Sequence, residues 1–139
     1  MVIQNQIVPG AGIVVVRNFP DGLKVLALQK HDGVLDIPKG GIDENEFPLE
    51  AALRETEEEA SITKLDFKWG LINIVNSELT CYVALTDQDP HIRKNPHSGI
   101  IEHSAALWVD WNSILSNTET FLVPCLQWAK GVIENGSCP

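Results

Sequence analysis

Two aliphatic runs, Ala11 to Val16 and Leu23 to Leu28, open the hydrophobic pattern of the chain. Asn18, Pro20, Asp21 and Gly22 lie between them and favour turns, so the pair predicts a β-hairpin. Lys30 to Gly41 reads as a loop broken by Gly33, Pro38, Gly40 and Gly41. The period then changes. Leu49, Ala52, Leu53, Thr56 and Ala60 recur at three- and four-residue intervals, which predicts a helix from Pro48 to Ala60 with that stripe buried. A proline in the first turn has no helical hydrogen bond to lose there. Leu65 to Val75 and Leu79 to Leu85 predict paired strands with a bend at Asn76 and Ser77. A long polar loop follows from Asp87 to Pro96, then a short strand from Ala105 to Val109 and a helix from Thr120 to Ile133, with Pro124 in its first turn. Two helices and about six strands in mixed order predict an α/β fold, a sheet sandwiched by helices.

The length of 139 residues fits one domain over 1–139 with a single core. Charge narrows the partners. With 10 Lys and Arg against 19 Asp and Glu, the net charge of -9 argues against general affinity for nucleic acid or acidic membranes. A phosphate ligand must then be received through a metal and a few placed cations. No apolar run approaches membrane-spanning length and no signal-peptide pattern opens the chain, so the expected location is the cytoplasm and no membrane partner is expected. Cys81, Cys125 and Cys138 form no CxxC pair; the first two read as buried small hydrophobes and the last as a mobile free thiol.

Within the predicted helix, Glu55, Glu58 and Glu59 stand at i, i+3 and i+4, so three carboxylates project from one face. A glutamate-rich helix face is usually just solvated, but a cluster this tight repels itself unless something positive sits in it. Several carboxylate oxygens suit a hard cation, Mg2+ or Mn2+, and the natural substrate of such a centre is a polyphosphate.

The wider spacing resembles the Nudix box. Gly40, Glu46, Arg54, Glu55, Glu58, Glu59 and Ile62 fall on fixed positions of that pattern, while Thr56 replaces an aliphatic residue and Ser61 replaces the second glycine. The resemblance implies a Nudix-type α/β/α sandwich with a mixed β-sheet and a metal-dependent hydrolase of phosphoanhydrides. It implies Glu58 and Glu59 as metal ligands, the Gly40 carbonyl as a further one, and Glu55 as either a ligand or the base. Arg54 would orient the cluster by pairing with Glu50 or Glu58, and Glu46 would hold the preceding loop.

Two further segments are similar to particular branches of the family. Pro38-Lys39-Gly40 resembles the loop of diadenosine tetraphosphate and diphosphoinositol phosphate hydrolases, which implies that Lys39 meets phosphate oxygens. Glu102-His103, followed by Trp108, is similar to the asymmetrically cleaving diadenosine tetraphosphate hydrolases. By that likeness Glu102 is a further metal ligand or base, His103 either meets substrate or is a hydrogen-bonded loop residue, and Trp108 packs in the core. Tyr82 and Phe121 match the places of a base-stacking pair. The stretch between Trp69 and Tyr82 is shorter than in those enzymes, and Leu35 stands where many relatives carry tryptophan.

The expected substrate is therefore a small nucleoside polyphosphate, diadenosine tetraphosphate cleaved to ATP and AMP. The alternatives are pyrophosphate removal from a (d)NTP, an RNA 5′ end or ADP-ribose, and a Nudix module that binds a nucleotide without cleaving it.

Overall fold

The computed structural model describes residues 9–136, so the expectation for Cys138 lies outside the described residues. The predicted hairpin is present and longer than its aliphatic runs: β1 is Gly10–Phe19 and β2 is Gly22–Lys30, paired antiparallel up to Phe19 opposite Gly22. Gly22 turns the chain at φ 129°, a conformation that a side chain disfavours. The region read as a loop contains two short strands, β3 (Leu35–Asp36) against β2 and β4 (Lys39–Gly41) against β1. Helix α1 is Pro48–Ala60, with its proline in the first turn as predicted. Strands β5 (Ile74–Asn76), β6 (Leu79–Leu85) and β7 (His103–Val109) complete a seven-stranded sheet. The sheet is mixed, because β6 runs parallel to β1 while the other pairings are antiparallel.

Strand β1 is aliphatic from Ile13 to Val16 because both of its faces are covered there. Ala11, Ile13 and Val15 pack with Ala51, Ala52 and Ala60 of α1, whereas Val14 and Val16 face Ile114, Cys125, Leu126 and Ala129. The latter belong to α2 (Trp111–Asn117) and α3 (Val123–Glu134). Helices thus lie on both faces, giving the α/β/α sandwich. No helix among the described residues is long and apolar enough to cross a membrane.

Four details differ from the sequence expectation. Leu65 to Val75 is not one strand: only Ile74–Asn76 pairs along β6, and Asp66 makes an isolated bridge to Leu85. In α1, Leu53 is 38% exposed and Ala51 takes a buried place instead. Helix α2 was not predicted. It is short, it buries Ile114, and it is capped by Asp110, whose Oδ1 accepts from the Ser113 amide at 2.8 Å. The last helical stretch begins as a 3-10 turn at Thr120–Leu122 before α3. The two departures from the box are accommodated. Buried Thr56 donates its hydroxyl to the Ala52 carbonyl at 2.7 Å, and Ser61 adopts the left-handed C-cap at φ 60° while its hydroxyl donates to the His91 carbonyl at 2.9 Å.

Candidate active site

Helix α1 places its carboxylates around one guanidinium. Arg54 donates from Nε to Glu46 at 2.9 Å, from Nη2 to Glu46 at 3.0 Å and to the Gly41 carbonyl at 2.9 Å, and from Nη1 to Glu55 at 2.9 Å and Glu58 at 3.4 Å. Glu46 also accepts the Asp43 amide at 2.8 Å, so it holds the loop as expected. These bonds, the fork from Arg54 foremost, hold the Glu46 carboxyl down at about 2. The same contacts raise the guanidinium, although burial opposes them. Glu50 is not a partner of Arg54. It accepts the Phe47 amide at 2.8 Å and closes the start of α1.

Glu59 and Glu55 sit deeper. Burial drives the Glu59 carboxyl up to about 8, the amide of Lys39 opposes the rise through a 3.0 Å hydrogen bond, and the charges of Glu55 and Asp36 add to it. Glu55 is raised by burial too, against the pull of Arg54 and with a push from Glu58 and Glu102. Gly40 makes room for Glu55: a Cβ on Gly40 would collide with the Glu55 carboxyl group. Any side chain at position 40 would expel that carboxylate.

The strand end at β7 brings in the downstream residues. Glu102 accepts from the Asn95 side-chain amide at 2.8 Å, and ligating atoms of Glu59, Glu102 and His103 lie within 4.8 Å of one another. His103 is buried in the pocket wall, and its Nε2 lies 3.3 Å from Asp36 Oδ2. Lys30, Asp36, Lys39, Gly40, Glu55, Glu59, Asn95, Glu102 and His103 line one pocket of about 350 Å³. Sequence reasoning missed Lys30, Asp36 and Asn95 here. None belongs to the box spacing, and each reaches the site only through sheet pairing or a loop.

A second cleft, of about 470 Å³, adjoins this pocket through Lys39 and Gly40, which line both. Phe121 lines it, 39% exposed, with Lys39 Nζ 5.9 Å from its ring centroid. Tyr82 does not join Phe121. At 7% exposed it packs beneath α1 with Ile13, Val15 and Ala84, leaving no open ring face for a base. The stacking expectation for Tyr82 is therefore corrected: on β6 it alternates to the α1 side and becomes core. Trp108 packs against that same core and meets Phe19 edge to face at 5.8 Å.

The donor set fits a hard divalent cation. Glu55, Glu58, Glu59 and Glu102 supply only oxygen, and Arg54 reaches just two of them. Among the described residues, Glu59 has no salt-bridge partner, and burial is the main cause of its raised carboxyl.

A NUDIX domain model matches residues 7–129. In sequence, the chain is 38% identical over 58 residues to the RNA pyrophosphohydrolase of Helicobacter pylori, a stretch covering 40% of this chain and 37% of that protein. The match thus spans little more than a third of that relative. Among solved structures, the Ap4A hydrolase of C. elegans in a binary complex matches with a TM-score of 0.74 at 22% identity, covering 91% of this chain and 99% of that one. The NUDIX domain of Shewanella oneidensis NrtR, complexed with ADP ribose, matches with a TM-score of 0.67 at 21% identity, covering 94% and 89%. Likeness at such identities establishes the fold alone. Because the family model runs from before β1 into α3 and takes in the whole carboxylate cluster, the chain belongs to the NUDIX domain family.

Proposed function

We propose that this protein hydrolyses a phosphoanhydride bond of a nucleoside polyphosphate, and that its substrate is diadenosine tetraphosphate, which with one water gives ATP and AMP. One observation carries the reading: the carboxylate pocket continues through Lys39 and Gly40 into a cleft that exposes the ring of Phe121. A polyphosphate with a flat base at its end has that sequence of chemistries. Mg2+ or Mn2+ held by Glu58, Glu59 and Glu102, with Glu55 beside them, would neutralise phosphate oxygens and lower the pKa of a bound water. Glu55 gives Oε2 to Arg54, and its other oxygen accepts the proton of the attacking water in this scheme. Lys39 meets phosphate oxygens as a point charge, and Phe121 offers a face to adenine. Arg54 touches no substrate and keeps Glu55 and Glu58 in place.

A second reading, removal of pyrophosphate from an RNA 5′ end, is favoured by the 38% identity to the H. pylori RNA pyrophosphohydrolase. The net charge of -9 weighs against it, since an RNA chain rewards a basic surface. A screen of diadenosine tetraphosphate, dATP, dGTP, ADP-ribose and 5′-triphosphorylated RNA, with products resolved, separates the two. Diadenosine tetraphosphate is expected to give the highest kcat/KM. A higher value for RNA selects the second reading, and nucleotide binding with no turnover of any substrate leaves a binding module.

A further inference from the structure

Asp36 is 5% exposed, lies outside the box and takes no part in the scheme above. Its carboxylate accepts from Lys39 Nζ, at 3.1 Å to Oδ1 and 3.2 Å to Oδ2, and from the Ile37 amide at 2.9 Å, with His103 Nε2 at 3.3 Å. A charge this deep is held only by such partners. Burial alone would raise its carboxyl, and His103 and Lys39 together more than offset that, so it stays ionised.

The consequence falls on Lys39. Its backbone amide is fixed on Glu59 at 3.0 Å, so its ammonium starts within reach of the carboxylates that need a divalent ion. An untethered lysine there would swing onto Glu55 and Glu59 and neutralise them itself. The ion pair with Asp36 holds it instead, 5.9 Å from the centre of the Phe121 ring and, among the described residues, in no ion pair with Glu55 or Glu59. We propose that Asp36 is a positioning residue that anchors the Lys39 ammonium away from the carboxylate cluster, keeping the cluster open for a divalent cation and the lysine open for phosphate. This rests on the metal-dependent reading above.

The test is a double-mutant cycle on Mn2+ affinity, measured by electron paramagnetic resonance of the free ion with no substrate present. Asp36→Asn is expected to weaken Mn2+ binding about tenfold when Lys39 is present and less than about twofold on a Lys39→Met background. Equal losses on both backgrounds mean that Asp36 acts through its own charge or through the fold, and overturn the proposal; so does a wild-type protein that binds no Mn2+. A second arm needs no change at Asp36. A tethered lysine does not compete for the cluster, so Lys39→Met alone is expected to leave Mn2+ affinity within about twofold, whereas a tenfold gain means that Lys39 already sits on the carboxylates and overturns the proposal. If the cycle comes out as expected while no nucleoside polyphosphate is cleaved, the substrate assignment falls and the anchor stands.

Discussion

Arg54 and Glu59 divide the labour of the site. Arg54 is saturated, with Glu46, Glu55, Glu58 and the Gly41 carbonyl around one guanidinium, so it sets where the carboxylates point. Glu59 is left with one amide and a carboxyl raised to about 8, so it is the group with the most to gain from a cation. Glu58→Gln and Glu59→Gln are each expected to lower turnover at least about a hundredfold while the circular dichroism of the folded protein is retained. Glu59→Gln carries a second signature. Because burial disfavours its charged form in the fold, removing that charge should raise the melting temperature of the metal-free protein at pH 8 even as turnover falls. Near-normal turnover in both variants, with metal still required, would remove these residues from the site.

At the scale of the element, α1 and the loop before it form one unit stitched by Glu46 and Arg54. The Glu46 carboxyl stands at about 2 against an ordinary 4.5, so folding favours its ionised form. Its contribution is fully present above about pH 4.5 and is lost as pH falls through about 2. The gap in melting temperature between wild type and Glu46→Gln should therefore be constant above that range and narrow steadily on acidification below it. A gap that does not change with pH would mean that Glu46 acts by shape rather than charge. The sequence disclosed α1 because apolar spacing and the box agreed over the same residues. It misread the stretch before β5, where Leu71 and Ile72 are apolar yet 61% and 43% exposed, so composition promised a buried strand that packing did not build. Helix α2 escaped notice because a single buried residue, Ile114, carries almost no periodic signal.

The whole molecule assembles what no local window contains. Lys39 comes from β4, Asp36 from β3, Glu59 from α1, Glu102 from the residue before β7 and Phe121 from the turn before α3, and the sheet brings them around two adjoining cavities. The placement of Glu55, Glu58 and Glu59 on one helix could be read from their spacing alone. Asp36 and Asn95 could not, because an isolated aspartate or asparagine acquires its role only from the partner that the fold places opposite. Tyr82 failed for a related reason: its side of the sheet depends on the register of β6 against β1, which pairs it with Ile13. Under the proposed reading, the same joining of cavities would set the bond that is cut, with Phe121 and Lys39 fixing where the polyphosphate lies against the carboxylates. The most direct test is hydrolysis of diadenosine tetraphosphate with Mg2+ in oxygen-18 water, with products separated and weighed by mass spectrometry. ATP and AMP in equal amounts, with the label in AMP, is the expected result; two ADP as products, or no cleavage beside rapid turnover of ADP-ribose, would contradict the account.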